Sequence, residues 1–227
     1  MKRSQINRAI DQAILFFQSH RFALPPFAYW SEAEWKTKGS EYDEIRAAQL
    51  GWDLTDFGGG AFETQGLLLF TIRNGIMDNP AYPKPYAEKI MLVREEQVTP
   101  YHFHWNKMED IINRGGGNLV VRLYGSLADE RMDRESDVTV HVDGRTLTLP
   151  AGGTVTLTPG ESITLLQRQY HSFWGESGKG AVMVGEVSRV NDDQADNRFA
   201  EPMGRFPTIE EDEPRKHLLC TDYVHLN

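Results

Sequence analysis

The sequence predicts a mainly β protein, a closed barrel or jelly roll carrying an N-terminal helical extension. Helical periodicity is confined to the first fifty residues. From Gly58-Gly59-Gly60 onward the chain divides into about eight short apolar runs, separated by turn signals such as Asn74-Gly75, Asp143-Gly144 and Pro159-Gly160. Short strands joined by tight turns suit an antiparallel barrel better than an α/β sheet, which needs a helix between successive strands.

Residues 4–19 read as a helix, because Ile6, Ala9, Ile10, Ala13, Ile14 and Phe17 recur on one helical face and Ser4 can cap it. Leu24-Pro25-Pro26 breaks this pattern. Ser31 and Glu34 form a capping box ahead of a short second helix. Residues 41–50 give a third, which Gly51 can stop. Strands are expected at residues 67–72, 89–94, 118–124, 138–142, 145–149, 154–158, 162–169 and 181–190. Asp143-Gly144 is a strong hairpin signal between two of them. Beyond Val190 the chain turns polar, regular structure is not expected, and the acidic run 210–213 reads as a solvated surface segment. The expected organisation is therefore a helical extension over 1–60 packed on the barrel, a barrel with the functional site over 61–190, and a polar segment over 191–227 covering the barrel.

A formal net charge of −9 without a basic stripe argues against nucleic acid and against an anionic membrane surface. The first residues include no apolar run of signal-peptide type, and apolar stretches such as residues 66–70 are too short to span a bilayer. Cys220 is the one cysteine, which excludes an intrachain disulfide and a thiolate zinc site and suits the cytoplasm. The expected partner is a neutral small molecule. Trp30, Trp35 and Trp52 bring more apolar surface than a small barrel needs to cover. The expectation is a homodimer that meets through the N-terminal helices or a barrel face.

The most informative segment runs from Pro100 to Glu109. His102 and His104 are two apart, so on a strand both imidazoles project from one face. Glu109 follows after a gap long enough for the chain to turn and return a carboxylate to the same point. His171, at the end of the strand after Pro159-Gly160, is the fourth candidate ligand, since in a barrel that strand can lie beside the one bearing His102. Such a set suits Mn, Fe, Ni, Co or Zn and leaves coordination positions open. His20, His141, His217 and His225 have no comparable partners. The glycine triplets at 58–60 and 115–117 lack the Lys-Ser/Thr pair of a phosphate cradle and read as turns.

These residues resemble known motifs. His102-x-His104-x4-Glu109-x6-Gly116 is similar to the first cupin motif, and Pro159-Gly160 followed by His171 to the second. Two turn positions depart from the pattern: Glu96 stands where glycine is usual, and Gln167 where proline is often found. These departures bear on loop geometry more than on the ligands. The strings HFHWNKMEDIINRGGGNLVVRLY, YHSFWGE and GEVSRVNDDQADNRF resemble the bacterial D-lyxose ketol-isomerase family. That resemblance implies a cupin-type barrel and a manganese-dependent enzyme interconverting an aldose and its ketose, D-lyxose with D-xylulose and D-mannose with D-fructose.

Such a reaction needs a divalent metal, which polarises the carbonyl, and a base that moves a proton between neighbouring carbons. Glu109, as a ligand, is a poor base. Glu186 alternates in phase with Val182 and Val184, which places it inside the barrel, where desolvation would raise its pKa toward a useful range. Lys107, in the turn between His104 and Glu109, can donate to a sugar oxygen. Lys89 and Arg189 can bind hydroxyls. Asp193 and Asn197, in the loop after the last strand, can set sugar specificity, and Trp174, with Trp105 and Phe173, can stack on a sugar face. Competing readings are a cupin iron dioxygenase, which uses the same ligands, a non-catalytic sugar-binding cupin, and a phosphosugar isomerase. The last needs a dianion site, for which Arg122, Arg189, Arg198 and Arg205 are scattered along the chain.

Overall fold

A computed structural model describes residues 1–190, 192 and 195–226. The chain opens with helices α1 (Arg3–Ser19), α2 (Glu32–Trp35) and α3 (Asp43–Ala47). Strands follow as β1 (Gly51–Thr55), β2 (Leu67–Arg73), β3 (Tyr86–Val93), β4 (Thr99–Phe103), β5 (Glu109–Gly116), β6 (Leu119–Ser126) and β7 (Met132–Asp133). The series continues with β8 (Val138–Val142), β9 (Arg145–Leu149), β10 (Thr154–Leu157), β11 (Ser162–Leu165), β12 (Tyr170–Gly175), β13 (Val182–Arg189) and β14 (Arg198–Phe199).

The named strands form two antiparallel sheets, ordered β1-β2-β3-β13-β5-β11-β8-β9 and β10-β6-β12-β4-β14, with β7 hydrogen-bonded to β6. Their inner faces meet in one core that includes Met91, Val184 and Ile163 from the first sheet and Leu119, Val121 and Phe173 from the second. This is the expected cupin-type jelly roll. The expected hairpin is present: β8 and β9 pair from Val142↔Arg145 outward, with both Asp143 (φ 47°) and Gly144 (φ 77°) left-handed, as a tight two-residue turn requires.

Helix α1 lies on the outer face of the first sheet. Ile6, Ile10, Ala13 and Phe17 pack against Trp52, Leu68, Phe70, Ile90 and Met183. Each large apolar side chain fully buried there contributes about 1.5–3 kcal/mol before entropy is counted. Lys2 rather than Ser4 is the N-cap, its amide donating to Gln5 Oε1 at 3.0 Å. Ser4 is held instead by Asp212, through its amide at 2.8 Å and its hydroxyl at 2.7 Å. The capping box of α2 is present, with the Ser31 amide donating to Glu34 Oε2 at 2.8 Å.

Several expectations are corrected. Residues 51–55 are not the end of a helical region but a strand: Trp52 and Leu54 face α1, while Asp53 and Thr55 take the alternate face. Gly51 is required there, since its φ is 110° and a Cβ would lie 2.5 Å from Tyr223 Oη. Residues 162–169 form no single strand. The chain breaks after Leu165, with Arg168 at φ 60°, so His171 belongs to the next strand, β12. The triplet 115–117 is not a free turn. Gly115 and Gly116 end β5, and a Cβ on Gly116 would sit 2.3 Å from the Ala181 carbonyl oxygen.

The acidic run is not simply solvated. Arg3 is fully buried and ion-pairs with Glu211 at 2.8 Å and with Asp222 at 2.9 Å. Asn7 donates to Glu213 at 2.8 Å. The Glu211 carboxyl is lowered to about 2, chiefly by its hydrogen bond to Arg3. Trp35 and Trp52 are buried within the single chain, Trp35 against Leu218, Cys220 and Tyr223. The aromatic surplus is therefore largely used inside the chain. No helix among the described residues is long and apolar enough to cross a membrane.

Candidate active site

Strands β4 and β12 are hydrogen-bonded neighbours with His171 directly opposite His102. Their rings lie 4.2 Å apart, centroid to centroid, and the His104 ring is 5.1 Å from that of His102. The first residue of β5, Glu109, reaches across from the other sheet: its Oε1 is 3.4 Å from His104 Nε2 and 3.2 Å from His171 Nε2. The ligand atoms of the three histidines lie within 4.8 Å of one another.

The proton positions follow from the outer partners. Nδ1 of His102 faces the Pro100 carbonyl at 2.8 Å, that of His104 the Asp196 carbonyl at 2.8 Å, and that of His171 the Gln169 carbonyl at 3.0 Å. A carbonyl only accepts, so each Nδ1 carries the hydrogen and each Nε2 presents a lone pair. Burial, followed by the other two imidazoles, pushes His102 well below the usual histidine range. Burial and then Lys107 lower His104. For Glu109, burial acts upward, but Lys107 and His104 outweigh it and hold the carboxyl well below its ordinary value. Lone pairs and a carboxylate oxygen thus converge, and His104 Nε2 and His171 Nε2 are buried without a hydrogen-bond donor. Acceptors packed in this way repel unless a cation lies among them, so the residues fit a divalent metal bound by three imidazoles and a carboxylate.

Beside this cluster lies a buried chain of charges. Lys107 Nζ is 2.5 Å from Glu109 Oε2 and 2.9 Å from Glu186 Oε1, and Lys89 Nζ is 3.4 Å from the same Glu186 oxygen. Lys89, Thr71 and Glu186 share one cross-strand row, through the pairs Thr71↔Lys89 and Lys89↔Glu186. Glu186 does share the inward face with the core residues Val182 and Val184, and two ammonium groups, unforeseen beside it, stand against its carboxylate there. Glu109, Glu186, Lys89 and Lys107 line one pocket with the histidines, and Asn197 and Phe173 line it too.

Two expected sugar contacts lie elsewhere. Trp174 is on the opposite face of β12 from His171 and Phe173, with the Arg122 guanidinium 5.2 Å from its ring centroid. Arg189 differs from Glu186 by an odd number of residues. It therefore projects from the outer face of β13, exposed and 3.4 Å from the Asn106 carbonyl oxygen. Asp193 lies outside the described residues. Trp105 turns away from the pocket and donates to Glu130 at 2.9 Å. Of the scattered arginines, Arg205 alone lines the pocket among the described residues, and it is ion-paired to Asp53 at 2.5 Å.

Sequence reasoning missed Asp196. Its Oδ1 accepts from the Asn106 amide at 2.8 Å, its Oδ2 from the Lys107 amide at 2.8 Å, and its carbonyl from His104. One residue therefore fixes the loop between His104 and Glu109 as well as the orientation of a candidate ligand. Phe57 and Phe199, also in the pocket wall, were missed. Phe57 is aimed inward by a left-handed backbone (φ 54°) that the Thr55 hydroxyl braces through the Phe57 amide at 2.8 Å. At the departing position Glu96, φ is 55°, so the turn keeps the conformation that favours glycine. Gln167 reaches the Asn106 carbonyl at 3.1 Å and helps tie the two loops together.

The D-lyxose isomerase family matches residues 1–223. The chain belongs to the D-lyxose isomerase family. It is 50% identical to a D-lyxose/D-mannose isomerase of Escherichia coli O157:H7 over 224 residues, covering 98% of each chain. It is 51% identical to one of Serratia proteamaculans over 225 residues, covering 99% of this chain and 98% of the relative. Among solved structures, the L-ribose isomerase of Geodermatophilus obscurus superposes with a TM-score of 0.61 at 16% identity, covering 92% of this chain and 98% of that one. That of Cellulomonas parahominis, with L-ribose, gives 0.57 at 18% over the same shares. At such identities the likeness is one of fold. With its family established, the chain is a sugar ketol-isomerase, and the pocket over the histidine cluster is its candidate active site.

Proposed function

We propose that the chain interconverts D-lyxose with D-xylulose and D-mannose with D-fructose, using a divalent metal, most simply manganese, bound by His102, His104, Glu109 and His171. The observation that carries this is the convergence of three imidazole lone pairs and a carboxylate beside the buried Lys107–Glu186 pair. The metal, when bound, supplies Lewis-acid polarisation of the sugar oxygens. The protein supplies the proton transfers. Glu186 takes the proton from C2 of the aldose, the C–H electron pair forms the C1–C2 double bond, and negative charge builds on O1. Lys107 and Lys89 stabilise that charge and pass a proton between the two oxygens. Glu186 then returns its proton to C1, leaving the ketose carbonyl at C2. Free rather than phosphorylated sugars are favoured, because the arginine and both lysines of the pocket already face carboxylates.

The test separates base from ligands. In Glu186→Gln, metal content should stay at the wild-type level while turnover falls by roughly two to four orders of magnitude, the usual worth of a general base. Solvent deuterium entering the product at C1 should fall with it. If Glu186→Gln keeps its turnover and Glu109→Gln, still metal-bound, does not, the base is Glu109. If both keep it, a hydride shift between the carbons replaces proton transfer.

We further propose a cytoplasmic homodimer joined through a barrel face. Support comes from Val187 and Met108, exposed at 41% each, and from Leu166, brought beside Met108 by the Leu165↔Glu109 pairing. Sedimentation at micromolar concentration should show a dimer, and Val187→Glu should yield monomer.

A further inference from the structure

Strand β4 is irregular where it passes the histidine cluster. His102 lies opposite His171 on β12, and Thr99 lies opposite Phe173. Three steps along β4 thus match two along β12, so β4 carries a bulge at Pro100 and Tyr101. Thr99 and His102 are an odd number of residues apart and in a regular strand would take opposite faces. The bulge puts both on the inner face, and Thr99 lines the pocket with His102 and Phe173. Pro100 suits this place on two counts. It lacks the N–H that a regular ladder would need, and it confines the backbone of Thr99 before it. Its carbonyl also accepts from His102 Nδ1 at 2.8 Å, so one bulge orients a candidate ligand and turns Thr99 inward.

Thr99 is firmly held there. Its carbonyl accepts from the Ser172 hydroxyl at 2.7 Å, and the residue is 1% exposed. A β-branched side chain has little rotameric freedom of its own. Yet Thr99 Oγ1 is buried with no hydrogen-bond partner. The Nε2 atoms of His104 and His171 are in the same condition, and a cation among them accounts for that. It does not account for a neutral hydroxyl one side-chain row further along the strands, roughly 7 Å away at the usual rise per residue. Phe173 across the strand pair, and Leu67, Leu69 and Met91 in the same wall, are apolar and offer it nothing. A buried hydroxyl without a partner is destabilising, and a valine of the same shape would avoid the cost.

A sugar reacting at C1 and C2 must extend its remaining carbons away from the row of ligands. A hydroxyl on one of them, set against those apolar side chains, would lose water without gaining a partner. Thr99 Oγ1 can both donate to such a hydroxyl and accept from it. We propose that Thr99 receives the hydroxyl at C4 or C5 of the sugar and so selects for substrates that carry one there. This rests on the isomerase reading above, which places C1 and C2 at the metal. Thr99 is a specificity-determining contact and takes no part in the proton transfers.

The experiment measures Kd by calorimetry for the pentitol made by reducing D-lyxose, and for its 4-deoxy and 5-deoxy analogues, on the manganese-loaded enzyme. KM, kcat and the melting temperature are measured beside it. In Thr99→Val, Kd for the pentitol and KM for D-lyxose should rise by roughly two- to tenfold, the worth of one neutral hydrogen bond, with kcat and metal content little changed. The melting temperature of the free enzyme should not fall, because the hydroxyl has no partner to lose. Thr99→Ser keeps the hydroxyl and should bind the pentitol more tightly than Thr99→Val. One deoxy analogue should bind wild type more weakly than the parent pentitol, and in Thr99→Val that penalty should vanish. A variant Thr99→Val that melts lower and binds the pentitol as wild type does shows a purely structural hydroxyl and overturns the proposal. So does a deoxy penalty that is the same in wild type and variant for both analogues. Failure of the isomerase reading is seen separately, as wild-type enzyme that does not turn over D-lyxose, while the pentitol arm still reads Thr99.

Discussion

Replacing Asp196 by asparagine tests how far one side chain organises the active site. The carboxylate accepts two N–H groups of Asn106 at Oδ1, 2.8 and 3.2 Å away, and the Lys107 amide at Oδ2, 2.8 Å away. An asparagine keeps one acceptor oxygen. In either orientation its NH2 group faces a main-chain N–H that can only donate. Asp196 is 4% exposed and Lys107 3%, so the orphaned donor is not rescued by solvent. A buried unsatisfied donor costs about 1–3 kcal/mol, and lost charge assistance on the remaining bonds brings the expected total to about 2–4 kcal/mol. Because the Asp196 carbonyl also orients His104, metal affinity should fall by roughly tenfold to a hundredfold, the usual effect of disturbing a ligand's outer partner. Urea unfolding of the metal-free protein measures the first quantity and competition with a chelating dye the second. A variant that matches wild type in both would show that the loop between His104 and Glu109 is held by other contacts, and the reasoning would fail.

Chelation should lower the melting temperature and abolish turnover, and manganese should restore both, since a ligand bound to the folded state alone stabilises it by mass action; full activity in verified metal-free protein refutes the site. His171→Ala should lose metal on dialysis, measured by elemental analysis, and its melting temperature should no longer respond to manganese. For Glu211 the folded value of about 2 lies below the ordinary 4.5, so its ion pair stabilises the fold fully above pH 4.5 and is lost as pH falls from there toward 2. Glu211→Gln should therefore narrow the gap in melting temperature between pH 6 and pH 3, and an unchanged gap rejects the assignment. Gly51→Ala should destabilise by more than about 1 kcal/mol in urea unfolding, because it adds a strained φ to a clash with Tyr223 Oη at 2.5 Å.

Local chemistry made much of the site readable. His102, His104 and Glu109 lie within eight residues, and strand alternation alone aligns the two imidazoles. The period-two argument put Glu186 on the inward face of its strand, whereas the place of Lys89 directly across from it is set by inter-strand register. That argument, followed strictly, also sends Trp174 and Arg189 to the outer faces of their strands, where aromatic and cationic character cannot help a sugar. Asp196, Phe57 and Arg205 were not readable for a different reason. Their roles depend on main-chain crossings: the segment after β13 runs back over β4, and β1 joins the sheet edge. The Trp52-Asp-Leu-Thr55 alternation was a strand signal, but it was hidden behind the helical character of the preceding residues.

The buried guanidinium of Arg3 ties together segments separated by 208 and 219 positions in the chain. During synthesis, α1 emerges long before either of its carboxylate partners exists. At about 5–20 residues per second the wait is roughly 10–40 s. Helix α1 can meet its apolar partners Leu68, Phe70 and Ile90 well before that, but the charge at its first turn must stay hydrated until Glu211 and Asp222 have left the ribosome. Joining these distant segments is thus a late step with a high loop-closure entropy. The carboxylates that complete it act as a latch on an already assembled barrel, so damage around residues 211–222 should be felt at α1, some two hundred positions away along the chain.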